Sequence, residues 1–275
     1  MRLSSLRALR LHAAPRTSSS TNDKPAEAAL QRYAVALPRT LLAAAGDLQG
    51  KHIVEIGPGD HLAAGLVMLA MGAASYTCLD RFPGQYSNGY AKRWYGAVRE
   101  AWPQMFPRSE WPAWLDADRF PEAYPERIRV VKAGVEDAGE LPPCDIVCSY
   151  AVGEHVLDVD AFARMTRRLL RPDGVAVHVV DFSQHFDWSR YGDQFLFLSI
   201  PDRVWKWMGS HRGLPNRVRY GEFVEALRAS GLQVHTVAKN LAAIIPDAGR
   251  MQPRFRAMPV ESIRTLEATF LCKPA

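Results

Sequence analysis

Apolar positions in this chain fall into short continuous runs separated by stretches of helical spacing. Pro25 to Ala45 reads as helical, with a break expected at Pro38. Lys51 to Ile56 is a buried strand, followed by Gly57 and Gly59 and an apolar helix from His61 to Met71. Ser75 to Leu79 is a second strand, closed by Asp80. Arg81 to Glu126 has no strand character. Tyr90 to Trp102 within it reads as a helix, and Pro103, Pro107, Pro112, Pro121 and Pro125 break the remainder into turns. Ile128 to Lys132 and Asp145 to Ser149 are the third and fourth strands. Asp158 to Leu170 is a helix stopped by Arg171-Pro172-Asp173-Gly174, and Val175 to Val180 is a fifth strand ending in Asp181. After a second insertion, Phe182 to Asn216, come a helix (Tyr220 to Ser230), a C-terminal signal at Gly231 and a sixth strand from Leu232 to Val237. Ser262 to Cys272 supplies the last strand. Strands alternating with helices predict an α/β sheet with helices on both faces.

Composition changes this picture in two places. The net charge is +5, but residues 1–22 carry Arg2, Arg7, Arg10 and Arg16 and no acid. Removing that +4 leaves 5 − 4 = +1 for the rest, so the basic character belongs to the tail. A nearly neutral remainder disfavours a surface that tracks phosphates, and no nucleic-acid partner is expected. The tail, rich in Arg and Ser, reads as a disordered extension. Organellar targeting is the alternative, and Arg7 and Arg10 interrupt any secretory apolar core. The expected domain is therefore 23–275. No apolar run reaches the ~18 residues of a membrane helix, so no membrane insertion is expected. Cys78, Cys144, Cys148 and Cys272 are scattered through strand-like contexts. They read as reduced core residues of a cytoplasmic protein.

The chemistry concentrates at Val54-Glu55-Ile56-Gly57-Pro58-Gly59-Asp60-His61. A strand, a glycine turn, a helix, a second strand and a terminal carboxylate are the parts of a nucleotide-binding crossover, and Asp80 suits a ribose diol. The dinucleotide pattern G-x-G-x-x-G fails, because Leu62 holds its sixth position. Glu55 two residues before Gly57 makes E-x-G-x-G instead. This resembles motif I of class I S-adenosylmethionine (SAM)-dependent methyltransferases, with His61 where the family usually has a third glycine. The likeness continues in order. Gly134-Val135-Glu136-Asp137 follows the third strand. Asp145-Ile146-Val147-Cys148-Ser149-Tyr150 with Glu154-His155-Val156 is similar to the family's D-x-V-x-S…L-E-H-V stretch. Leu169 to Gly174 resembles its L-L-K-P-G-G turn, and Asn216-Arg217-Val218-Arg219 with Gly231-Leu232 its late helix–strand unit. Residues 50–237 are covered.

The resemblance implies a Rossmann-like, seven-stranded, mostly parallel sheet with an antiparallel last strand, and SAM as cofactor. It places Glu55 at the amino-acid end of the cofactor. Gly57, Pro58 and Gly59 form the close-approach turn, and Asp80, with Arg81 beside it, lies at the ribose. Glu136 or Asp137 lies near the adenine, and Ser149 and Tyr150 line the methyl-transfer channel. His61 either donates to the cofactor carboxylate or caps the helix. The type-11-like group of small-molecule and sugar methyltransferases is the expected company, with an oxygen or nitrogen acceptor. The reading admits a homodimer.

Methyl transfer to a hydroxyl needs a base, and His155, Asp181 and His185 are the candidates, a His–Asp pair among them. No cluster of carboxylates and Asn suggests a metal. His178 reads as a satisfied core histidine, and His211 as a residue that could touch an acidic substrate. All seven tryptophans lie in the insertions at about 81–126 and 182–216. They predict a lid over an apolar pocket, a second small core, or both. Two rivals remain: a nucleic-acid methyltransferase and a non-catalytic SAM-fold binding module.

Overall fold

β1 (His52–Ile56) is an interior strand of the chain's seven-stranded sheet. It pairs in parallel with β2 (Ser75–Asp80) on one side and β4 (Cys144–Tyr150) on the other. β3 (Ile128–Lys132) extends the sheet beyond β2, and β5 (Leu170–Asp181) beyond β4, again in parallel. β7 (Thr265–Pro274) lies antiparallel between β5 and β6 (Leu232–Leu241). The order is β3-β2-β1-β4-β5-β7-β6. This is a computed structural model, and it describes residues 26–185, 193–208, 215–244 and 246–275. The basic tail, Trp188 and His211 lie outside the described residues.

Alternation along the strands divides the core. Ile53, Tyr76, Cys78, Ile146 and Cys148 face the helices Ala36–Ala45, Ala63–Ala70 and Gly89–Met105. Val54, Ile56, Leu79, Val147 and Ala176 face the helices Val159–Leu169 and Tyr220–Ala229. Ala63–Ala70 is buried throughout, which explains its lack of a polar face. A third, smaller core joins Phe195, Phe197, Leu198 and Trp205 to Met251, Phe255 and Ile263. Among the described residues, no helix is long and apolar enough to cross a membrane. All four cysteines are free and buried, in β2, β4 and β7.

Several boundaries differ from expectation, each for a local reason. Pro38 breaks nothing: it sits in the first turn of Ala36–Ala45, where a missing N–H costs no intrahelical bond. The irregularity lies just before it, in a π-helical turn at Gln31–Val35. The helix from Gly89 runs through Pro103 to Met105, because a proline in the last turn removes only one late hydrogen bond. Arg171 to Gly174 does not separate helix from strand. β5 already begins at Leu170, which pairs with Cys144, and the turn loops out before Val175 pairs with Ile146. The first part of the expected last strand is a short helix, Val260–Arg264.

The tryptophans divide between core and surface. Trp94 and Trp102 are fully buried in the main core, Trp205 packs in the third core, and Trp114 and Trp207 are exposed. Trp94, Trp102 and Trp205 thus serve packing.

A candidate active site at the carboxyl end of the sheet

The turn after β1 carries Gly57 at φ 68° and Gly59 at φ 80°, conformations that side chains disfavour. A Cβ on Gly57 would stand 2.6 Å from Cγ2 of Val152, in the turn after β4. The glycine therefore lets two sheet loops meet. Asp80, at the end of β2, braces the same turn. Its Oδ2 accepts from the Gly59 amide at 3.3 Å and its Oδ1 from the Phe82 amide at 2.7 Å. Burial raises the Asp80 pKa, and these two amides oppose the rise.

Glu55 sits one residue inside the turn and is buried. Its carboxylate accepts a 2.6 Å hydrogen bond from the Tyr76 hydroxyl. Burial pushes its pKa up to about 7 despite that bond. His61 is buried at the start of the helix Ala63–Ala70, with Nδ1 accepting from the Ala63 amide at 3.4 Å. Its ring stacks on Trp94 at 4.0 Å. Burial lowers its pKa to about 4, so the ring is neutral, and its buried Nε2 has no hydrogen-bond partner. With Nδ1 accepting, Nε2 carries the proton, so a buried donor is available to a ligand.

Other expected cofactor residues find different partners. Arg81 pairs with Glu136 and lies 3.6 Å from Asp137, crossing over Gly134, which has no side chain to block it. Glu136 is thereby committed to a cation. Ser149 was expected in the channel, but its side chain points into the core. Its Oγ shares a 2.8 Å hydrogen bond with Nδ1 of His178, whose Nε2 reaches Thr166 at 3.2 Å. Ser149 and His178 are fully buried, on the face covered by Val159–Leu169. His178 is the satisfied core histidine that the sequence suggested. Tyr150, one residue on, falls on the opposite face. Its ring meets Tyr33 of the π turn at 6.5 Å, and Arg32 lies close enough to lower its pKa against the rise from burial. Tyr33 in turn meets Trp94. The sequence reading missed this aromatic rim of Tyr33, Tyr90, Trp94 and Tyr150, because docking of the N-terminal helix is non-local. The π turn itself has no sequence signal as plain as a cap or a proline.

The base candidates do converge. His155 and His185 lie with ring centroids 5.1 Å apart. His185 Nε2 is 3.8 Å from Asp181 Oδ2, and His155 Nε2 is 4.0 Å from the carboxylate of Glu154. Glu154 is buried, and burial holds its pKa well above the usual carboxylate range. Main-chain groups fix this corner. Asn216 Nδ2 donates to the carbonyls of Gly153 (2.9 Å) and Val156 (3.1 Å), and the Asn216 amide donates to the Glu154 carbonyl. Ala151, at φ 53°, makes the sharp exit from β4.

The sheet order, the glycine turn and the carboxylate after β2 together define a class I SAM-dependent methyltransferase fold. A family model described as a methyltransferase domain matches residues 28–237, and the chain belongs to that family, whose cofactor is SAM. No curated protein matches it in sequence. Solved structures do match in fold. The geranyl diphosphate C-methyltransferase of Streptomyces coelicolor A3(2), solved with Mg2+, geranyl diphosphate and S-adenosyl-L-homocysteine, is 15% identical, with a TM-score of 0.51 over 98% of this chain and 87% of its own. A SAM-dependent methyltransferase from Mesorhizobium loti is 16% identical, with a TM-score of 0.44 over 85% and 95% of the two chains. The 1,6-didemethyltoxoflavin-N1-methyltransferase of Burkholderia thailandensis, with bound 1,6-didemethyltoxoflavin and S-adenosylhomocysteine, is 13% identical, with a TM-score of 0.45 over 89% and 79%. At 15% identity the likeness to the geranyl diphosphate C-methyltransferase is one of fold alone.

Proposed function

We propose that this protein methylates an oxygen or nitrogen of a small-molecule or sugar acceptor, with SAM as donor. The observation that carries the reading is the convergence of Glu154, His155, Asp181 and His185 beside the glycine turn, with both imidazole side chains 19% exposed and open to an incoming acceptor. The cofactor side fits the group. Gly57 and Gly59 leave the turn bare, and the unpartnered Nε2–H of His61 suits a carboxylate. Asp80, already oriented by two amides, is placed for a ribose diol. When bound, the cofactor supplies an electrophilic methyl on a sulfonium. An acceptor oxygen or nitrogen held at this corner would receive that methyl in exchange for its proton. The acceptor proton passes to a group of the cluster. Of these, Asp181 stands at the edge of the cluster, 3.8 Å from His185, and can take that proton.

The nucleic-acid alternative has less support. The stretch after β4 is Tyr150-Ala151-Val152-Gly153, without the Asn/Asp-Pro-Pro-aromatic loop of exocyclic-amine enzymes. The test is incubation of the protein with methyl-labelled SAM and fractionated extract of its source cell. Label is expected in the small-molecule fraction. Label confined to RNA, DNA or protein, or none in any fraction, sinks the proposal.

A further inference from the structure

The corner that ends β4 and β5 holds three groups of metal-ligand type. One atom each from Glu154, His155 and His185 lies within 4.8 Å of the others. The Glu154 carboxylate is sealed from solvent, and neither oxygen has a hydrogen-bond partner. The amides of Glu154 and Asp181 lie near enough to oppose the effect of burial, but too poorly placed to offset it. A carboxylate buried with so few donors is costly to ionise, and a cation set against it offsets that cost.

His185 is oriented for the same purpose. Its Nδ1 lies 3.0 Å from the Ser183 carbonyl, which can only accept, so Nδ1 is the donor and the lone pair is on Nε2. A ring N–H given to a main-chain carbonyl is how metal-binding histidines are held. Asn216 fixes the Glu154–His155 turn through three hydrogen bonds.

We propose that Glu154, His155 and His185 bind one divalent transition-metal cation, which leaves coordination positions open to oxygens of the acceptor. Two imidazoles and one carboxylate favour a borderline cation over magnesium or calcium, which prefer all-oxygen sites. Ligands bonded at ~2.0–2.2 Å stand roughly 3–3.5 Å apart, so side-chain rotations of about 1 Å close the cluster. Asp181 is beside His185 and can hold a metal-bound water or acceptor hydroxyl. The acceptor class is then one that presents adjacent oxygens, such as a vicinal diol or a hydroxycarbonyl. That last step rests on the function proposed above; the cation site does not.

Full-length protein stripped with chelator is titrated with cobalt(II), binding being followed by the visible absorption of the bound ion, and SAM affinity is measured in parallel. One ion per chain is expected to bind. Glu154→Gln and His185→Ala should each weaken it by at least ~tenfold, with SAM affinity unchanged. No saturable ion in the wild type overturns the proposal, as does wild-type ion affinity in both variants. If Glu154→Gln does not fold, His185→Ala decides alone, since its side chain is at the edge of the site. A wild type that fails to bind SAM would sink the proposed function and leave the ion result standing.

Discussion

Both oxygens of Asp80 are engaged by the protein, at the Gly59 and Phe82 amides, yet each keeps a lone pair for a ligand. Asp80→Ala should weaken SAM binding by about 1.5–3 kcal/mol in calorimetry, the scale of hydrogen bonds to a charged group. Unchanged affinity in a folded variant would move the ribose elsewhere. Glu55 makes a second residue-scale prediction. Its pKa rises from 4.5 to about 7 on folding. A raised carboxyl gives stability below pH 4.5 that is lost as pH climbs through 7, because the unfolded chain ionises first. The loss is about 3 kcal/mol. His61 and His178, lowered by burial to about 4 and about 3, act oppositely, losing stability as pH falls below 6.5. Urea unfolding of wild type and Glu55→Gln at pH 5 and pH 8 cancels both histidines. The gap between the two proteins should shift against the wild type at pH 8. A constant gap would show that Glu55 titrates normally. The glycine turn at Gly57 and Gly59 and the place of Asp80 at the end of β2 were legible because they are local features. Ser149 was not: strand periodicity says that neighbours face opposite ways, but not which face meets the ligand.

At the scale of elements, the strand cores were visible as apolar runs, and most errors fell at their ends. The run starting at Val175 could not show that β5 begins at Leu170, because that pairing depends on Cys144 across the sheet. The place of Glu154 beside His155 and His185 was hidden for the same reason, although the two histidines were already candidates. The three come from two loops about 30 residues apart, brought together by the parallel pairing of β4 and β5. The helix Val159–Leu169 shows the opposite, an element start written in the chain. Asp158 Oδ1 accepts from the Ala161 amide at 2.9 Å, with Asp160 in the first turn and Arg167 and Arg168 in the last. Asp158→Ala should cost about 1 kcal/mol in denaturant unfolding. No loss would mean that packing of Phe162 and Leu169 alone sets the helix start.

For the molecule as a whole, the order of strands and helices was readable, and with it the fold. The layering of its aromatic mass was not, since two tryptophans in an apparent insertion turned out to be core. Charge is distributed unevenly, with +4 of the net +5 in residues 1–22. Deleting those residues should leave SAM affinity and melting temperature unchanged, because so polar a segment has little apolar surface to bury. A drop in either would assign the tail a place on the domain.

The four buried thiols give the molecule a chemical clock. Cys78 and Cys148 are pushed far above the ordinary thiol range by burial, and Cys144 and Cys272 up to about 12. Only the thiolate attacks an alkylating reagent, so the native chain is inert to it. Labelling then counts openings of the structure. The four residues span the sheet from β2 through β4 to β7, so a mass spectrum taken during slow alkylation maps which strand lets go first. All four should label together if the sheet opens as one unit. Early capture of Cys272 would instead make the antiparallel edge a separate unit of unfolding, and SAM, which we propose binds at β1 and β2, should then leave that early step untouched.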